Sequence, residues 1–429
     1  MLLFGDRDAT WTELRLWTRI YRVIPNEIEP GLASRLGALL DRQPAASALL
    51  QEFYNDAQIF ERDIEQVHMK RWLCVGHASQ VSDTGDWFRF DVASEPLIIV
   101  RGADGEVRAL LNVCRHRGSL VCPEDAGHSN RLICPYHGWT YDLEGRLRSA
   151  RNMGDLDLEA HSLASIHCRV VEGLIFVCFA DDPPGFDRVE EVFGQSLGRF
   201  GWANAKVAHR ASYTVEANWK LVTENYQECY HCRPAHPEFS RFHATEKPEE
   251  ANADLRKRAS DLAVAHGVEI EEFDNWPFGD GAGGEGVAVA NDAMYEGSVT
   301  GSRDGSPLAP FMGDFKDYCE GFFTYAETGP ASFFLAYPDH GLVYLFIPRT
   351  AQRTDMEVLW LVDSKSEEGV DYSVEDLSWL WSVTSIADKQ IIERNQRGVN
   401  SRYYVPGPYG PMEDYTQAFT EWYLERVRP

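Results

Sequence analysis

CRHRGSLVCPEDAGHSNRLICPYHGW, residues 114–139, brings a thiol and an imidazole together twice. Cys114 and His116 make the first pair, Cys134 and His137 the second, with Gly118 and Gly138 just behind them. The surroundings decide what carries these pairs. From Trp72 to Ala180, short runs such as WFRFDV, PLIIVRG, LRSARN and GLIFVCF are punctuated by TGD, GADG and LEGR at hairpin spacing. That pattern predicts a small antiparallel β domain with both pairs on its loops.

Two Cys and two His suit a structural zinc tetrahedron, but zinc sites usually space like ligands together, as C-x2-4-C and H-x3-5-H. Here each pair is mixed. A cluster of two irons wants that arrangement if one iron takes both thiolates and the other both imidazoles, and neutral imidazoles raise the reduction potential, which is the chemistry of a Rieske [2Fe–2S] centre. Gly118 and Gly138 would let backbone amides approach the bridging sulfides. Cys122 and His128 fall outside the pattern and read as loop residues.

An electron carrier does not need the long remainder of the chain. DDPPGFD (181–187) breaks the β pattern, and VEANWKLVTENYQECYH (215–231) then predicts a helix that Pro234 ends. On it Glu224, Glu228 and His231 fall at i, i+4 and i+7, one face, and His236 follows beyond the proline. Two imidazoles and one carboxylate make the facial triad of a non-haem Fe(II) site. A distant segment must supply the third ligand. Ser373 is a candidate N-cap and Gly398 a candidate C-cap of a long helix whose inward stripe holds Trp381, Ser385 and Asp388; Glu393, beside Arg394, is the rival. Cys229 and Cys232 straddle the iron segment without a redox-fold context. The stretch 245–310 reads as a long loop or lid, and ASFFLAYP, GLVYLFIP and EVLWLVD read as strands.

The expected division is a helical extension over 1–50 (Trp11, Leu14, Trp17, Tyr21, then Leu32, Leu36, Leu40), a lead-in helix over 51–71, the β domain over 72–180 and an α+β domain over 188–429. With 67 acidic against 41 basic residues and a net charge of −26, the chain has no means of neutralising phosphates, which argues against nucleic acid. MLLFGDRDAT lacks the pattern of a signal peptide, and no apolar run is long enough to span a membrane, so the cytoplasm is the expected location. The nine cysteines read as reduced thiols or metal ligands, with Cys74, Cys168, Cys178 and Cys319 as packing residues. GDGAGG (279–284) fits G-x-G-x-x-G but lacks a preceding strand and a following helix, so it reads as a loop. Electrons must then come from a separate protein.

The motif C-x-H-R-G … C-P-Y-H-G-W resembles the Rieske domains of ring-hydroxylating oxygenases. ENYQECYHCRPAHP resembles that family's mononuclear-iron motif, and ADKQIIERNQRG its final segment, in which the aspartate here numbered 388 binds iron. The resemblance covers roughly residues 50–429 and is specific to the α subunits. It implies an α+β fold: a small antiparallel β Rieske domain plus a helix-grip α+β catalytic domain with a central antiparallel sheet. It also implies a head-to-tail homotrimer, O2 as cosubstrate, and a ferredoxin or flavin reductase through which NAD(P)H acts only indirectly. Cys114, His116, Cys134 and His137 would hold the cluster, and His231, His236 and Asp388 the mononuclear Fe(2+). Glu228 would not bind iron but link that site by hydrogen bonds to a Rieske histidine of the neighbouring subunit. FYNDAQIF, ENYQECYHC, EGVDYSVEDL, NQRGVNS with PGPYG, and WYLERV look most like the glycine betaine and choline oxygenase branch, whose members hydroxylate quaternary ammonium compounds. Such a cation calls for an aromatic box, for which Phe322, Phe323, Tyr325, Phe333, Phe334 and Tyr337, then Tyr344 and Phe346, are available. The alternatives are an aromatic-ring mono- or dioxygenase and a Rieske electron-transfer protein without oxygenase activity.

Overall fold

The computed structural model describes residues 30–244, 249–265, 267–268, 273–275, 277–279, 283–315 and 321–429. The expected helix around Trp11 to Tyr21, and Cys319, lie outside the described residues. Helix α1 (Pro30–Arg42) buries Leu36 and Leu39. The lead-in is two helices, not one: α2 (Gln51–Asn55) and α3 (Ala57–Gln66) break at Asp56, whose carboxylate accepts the amide protons of Gln58 and Ile59 and so starts a new helix.

Ten strands follow: β1 (Leu73–His77), β2 (Asp86–Val92), β3 (Glu95–Arg101), β4 (Val107–Leu111), β5 (Ala126–His128), β6 (Leu132–Ile133), β7 (Thr140–Tyr141), β8 (Leu147–Ser149), β9 (Ser165–Val171) and β10 (Leu174–Cys178). Seven form an antiparallel sheet in the order β1-β10-β9-β4-β3-β2-β5, and β6-β7-β8 form a small sheet beside it. Every residue of β1 and β10 is buried, because this edge is pressed into the rest of the protein. Phe176 meets Phe334 there with ring centroids 6.3 Å apart. The opposite end has its own apolar core, in which Trp87, Leu110, Trp139 and Tyr141 surround Cys114 and Cys134.

After α4 (Asp187–Ser196) comes β11 (Ala205–Val215), then α5 (Trp219–Tyr226), α6 (Cys232–Ala235), α7 (Pro237–Ser240) and α8 (Glu249–Ala265). Strands β12 (Ala288–Ala293), β13 (Phe322–Glu327), β14 (Ser332–Ala336), β15 (Gly341–Thr350) and β16 (Arg353–Asp363) complete a six-stranded antiparallel sheet in the order β11-β16-β15-β14-β13-β12. Helix α9 (Val374–Val399) packs against the sheet and α5, tied to β15 by Tyr344 and Ser385, whose hydroxyls lie 3.0 Å apart; α10 (Asp414–Arg426) closes the chain.

Three expectations change. The stretch 245–310 contains α8 and β12 rather than only loop, because EEANADLRKRASDLAVA is built of good helix formers whose polarity hid them. Helix α9 begins at the Ser373 cap but runs through Gly398 to an Asn400 C-cap, since Gly398 has ordinary helical space around it. The helix over 215–231 is cut to Trp219–Tyr226. Past it the Glu228 carboxylate accepts the amide protons of Tyr230 and His231, offering the backbone a turn that competes with the helix. Glu224 therefore does not share a face with His231; it is turned inward, accepting from the Tyr54 hydroxyl at 2.9 Å.

Candidate metal centres and the cavity between strands and helix

The two Cys–His loops use one backbone design. In the first, the Gly118 amide donates to the Cys114 carbonyl (2.9 Å) and the Cys114 amide to the Ser119 carbonyl (2.8 Å). In the second, Gly138 donates to Cys134 (3.0 Å) and Cys134 to Trp139 (2.9 Å). Each glycine sits four residues after its cysteine in the left-handed region, at φ +74° and +72°, with open space where a Cβ would stand. That left-handed conformation by itself favours glycine at both positions. Asn112 staples the first loop: its side-chain oxygen accepts from the Val121 and Cys122 amides and its nitrogen donates to the Cys122 carbonyl. Cys122 is buried as packing, and His128 is exposed and bonded to Asp86.

The thiols of Cys114 and Cys134 are buried, whereas His137 is exposed and His116 half-buried, with their Nδ1 atoms 3.1 Å apart. Burial raises the Cys114 thiol; the Tyr141 hydroxyl, 3.4 Å from its sulfur, eases the shift, and neighbouring Cys134 adds to it. His116 stacks on Trp139, centroids 4.9 Å apart and planes 7° from parallel. A tetrahedral zinc ion would draw four ligand atoms to within roughly 4 Å of one another. Among the described residues, the one group of three or more His, Cys, Asp or Glu ligand atoms lying within 4.8 Å of one another is elsewhere. The thiols are buried together and the imidazoles lie together nearer the surface, the division that a two-iron cluster with thiolates at one end and imidazoles at the other calls for. The donor set fits that cluster.

The compact group is His231, His236 and Asp388. Asp388 comes from the middle of α9, His231 from the turn after α5, and His236 from the link between α6 and α7. His236 Nε2 lies 2.8 Å and His231 Nε2 3.3 Å from Asp388 Oδ1. Burial of His231 works against a proton, but hydrogen bonds to Asp388 and Glu228 outweigh it and hold its pKa up at about 9. Burial likewise pushes Asp388 up, and the two imidazoles outweigh it, bringing it down to about 2. A field that holds protons among these three side chains equally favours a divalent cation in their place, so the set fits a mononuclear metal. Glu228 Oε1 sits 2.7 Å from His231 Nδ1, which leaves Nε2 facing the metal position.

Glu393 is not at this site: it takes Lys389 and the Glu216 amide. Sequence reasoning did not single out Asn225, whose amide donates to Asp388 Oδ1 at 2.9 Å; its place beside Glu224 in ENYQECYH was the available signal. Cys229 and Cys232, read as thiols, are joined in a disulfide, because the turn that replaces the helix brings their Cα atoms to 4.9 Å. Gly284 bridges Gly185 and the strand β12 follows, so no helix opens after GDGAGG, whose residues 280–282 lie outside the described residues.

His231, His236 and Asp388 line a cavity of about 700 Å³. Of the eight rings considered from sequence, Phe323, Tyr325 and Phe333 line it, joined by Trp381 and Tyr415. Phe322 and Phe334 point from the same strands to the other face, against Phe200 and Phe193. Strand alternation, which sequence composition alone does not resolve into cavity and core, makes that division.

Residues 202–428, more than half of the chain, match the family described as ring hydroxylating alpha subunit (catalytic domain), and residues 71–165 match the Rieske [2Fe-2S] domain. The chain is 33% identical over 404 residues to the glycine betaine monooxygenase oxygenase subunit of Pseudomonas aeruginosa strain UCBPP-PA14, covering 93% of both chains. It is 36% identical over 198 residues to the carnitine monooxygenase oxygenase subunit of Acinetobacter baumannii, covering 44% of this chain and 52% of that one. The fold is that of a quaternary ammonium Rieske monooxygenase linked to carnitine oxidation by gut microbiota, with a TM-score of 0.69 at 24% identity over 91% of this chain and 98% of that one.

Proposed function

Because the chain belongs to the ring-hydroxylating Rieske oxygenase α-subunit family, a family of oxygenases that pair a [2Fe–2S] Rieske centre with a mononuclear iron, we propose that it hydroxylates an N-methyl group of a betaine-type quaternary ammonium compound. Cys114, His116, Cys134 and His137 would hold the cluster, within 72–180, and His231, His236 and Asp388 the iron, within 188–429, with residues 51–71 as the lead-in packed on the latter. When bound, the cluster supplies electrons singly from a separate reductase and the iron supplies O2 activation. One oxygen atom enters a C–H bond and the other leaves as water; the hydroxymethyl ammonium product then loses formaldehyde.

The observation that carries the substrate class is the cavity itself. Its aromatic faces attract a cation that has no N–H to donate. Asp388 and the two histidines, which line the cavity, would hold the metal, and Phe323, Phe333 and Trp381 give the same cavity an aromatic wall. Glu228 holds the His231 ring in one orientation. His137 is exposed between Tyr136 and Ile133, themselves 55% and 54% exposed, a surface suited to docking on another protomer of a homotrimer. No helix among the described residues is long and apolar enough to cross a membrane, and we place the protein in the cytoplasm.

The test is turnover with a competent reductase across glycine betaine, carnitine, choline and a set of small aromatics. The expected result is NADH-coupled formaldehyde release from a betaine-type compound. Ring diols or phenols, with no formaldehyde, would overturn the reading.

A further inference from the structure

β12 and β13 pair with Ala288 opposite Glu327, Ala290 opposite Tyr325 and Asp292 opposite Phe323. Side chains directly opposite share a face of the sheet, and residues two apart along a strand stay on it. Ala288, Ala290, Asp292, Phe323 and Tyr325 all border the cavity. Glu327 therefore ends the cavity-facing row of β13, opposite a small alanine. Its side chain is fully buried. Gln227, itself a wall of the cavity, donates from Nε2 to Glu327 Oε2 at 2.7 Å. The side chains seen to act on its charge, Tyr325 and Gln227, are both neutral donors. A fully buried carboxylate held by neutral donors needs an explanation.

We propose that Glu327 is a specificity-determining residue: from behind Tyr325 and Gln227, its carboxylate is the counter-charge that selects a substrate with a fixed positive charge over an uncharged one of the same shape. The inference rests on the quaternary ammonium reading and deepens it. A trimethylammonium group cannot hydrogen-bond to an acceptor, so its charge is read through ring faces and the field behind them. That field is strong where water is excluded. Mere support of Gln227 would need only an acceptor, which a glutamine also supplies.

The titratable groups facing Glu327 are Tyr325 on its own strand and Tyr415 on α10, and burial raises both phenols, so they stay neutral. Burial pushes Glu327 up, against hydrogen bonds from Tyr325 and Gln227, to about 7. A bound cation favours the ionised form. Affinity for a cation therefore rises as pH rises through this range and levels off above it, with proton release on binding below it.

Calorimetry on the metal-loaded enzyme decides the matter, using glycine betaine and tert-butylacetate, in which carbon replaces the nitrogen. Between about pH 6 and about pH 8.5, the Kd for betaine should fall about tenfold while that for tert-butylacetate stays level. Glu327→Gln should bind betaine about tenfold more weakly at the upper end, without pH dependence, and tert-butylacetate no worse. Glu327→Asp, which keeps the charge, should restore the pH dependence. A level betaine profile in the wild type, readable whether or not a variant folds, or wild-type betaine binding by Glu327→Gln, would overturn the role of Glu327 alone. No binding of any quaternary ammonium compound, with aromatics bound instead, would overturn the functional reading as well.

Discussion

A single atom, Asp388 Oδ1, receives His236 Nε2 at 2.8 Å, Asn225 Nδ2 at 2.9 Å and His231 Nε2 at 3.3 Å. On the proposed ligand set, removing that oxygen takes away one of three protein ligands and the acceptor that the two imidazoles share. Asp388→Ala should lose the mononuclear iron and all product while the red Rieske absorption is unchanged; iron per chain and the visible spectrum check this. Glu393→Ala should keep both metals and activity, because Glu393 is engaged with Lys389 and the Glu216 amide away from the site. The opposite ranking would mean that α9 presents the other carboxylate. Periodicity along α9 made Asp388 legible in sequence, since a buried stripe through Trp381 and Ser385 leads to it. Asn225 was not legible as a partner, because its contact spans 163 positions.

Among elements, the paired cluster loops are the most stereotyped. Both glycines hold a left-handed backbone, which sets a least cost for adding a methyl group. Gly118→Ala or Gly138→Ala should destabilise the protein by about 1–2 kcal/mol and lower cluster content, since a non-glycine residue must then hold a left-handed conformation. Denaturant midpoints and iron content report both effects. Gly37→Ala supplies the contrasting sign: Gly37 lies inside α1 with nothing within 4 Å of a Cβ and no positive φ, so alanine should stabilise by up to about 1 kcal/mol. Equal losses at all three positions would show that the positive φ is not what the cluster loops require. The iron-bearing segment teaches the converse. Its helical period was plain in sequence, yet Glu228 turns the backbone out of the helix after Tyr226, and a local side-chain bond decides what periodicity could not.

At the scale of the whole molecule the question is how the two metal centres communicate. The cluster end has its own core and an exposed imidazole edge, while the opposite end of that sheet is fused into the second domain by β1 and β10. Glu228 presents Oε1 to His231 and is half-buried, so it can accept a second imidazole arriving from outside the chain. On the homotrimer reading, Glu228→Gln keeps both metals, the oligomer and substrate binding, yet slows electron transfer to the iron by orders of magnitude. Single-turnover stopped-flow of the pre-reduced enzyme measures it. Rieske reoxidation at the wild-type rate in Glu228→Gln would show that the electron travels by another route.

The sequence by itself determined the chemistry of the metals, because ligand identity and short spacing are local: C-x-H and C-x-x-H can be read from a few residues, and so can two histidines flanking a proline. It also pointed to a distant carboxylate on an amphipathic helix, Asp388, which the fold brings beside His231 and His236. Tertiary structure alone decided which rings face the substrate and which fill the core, since strands such as FFTY and SFFLAY are apolar on both faces and only the packing partners of each face distinguish Phe323 from Phe322. It alone paired Cys229 with Cys232, turned Glu224 towards Tyr54, and set Glu327 opposite Ala288. Each of these outcomes depends on where one element stops and another is laid beside it. That is a property of long-range packing, which no run of neighbouring residues encodes.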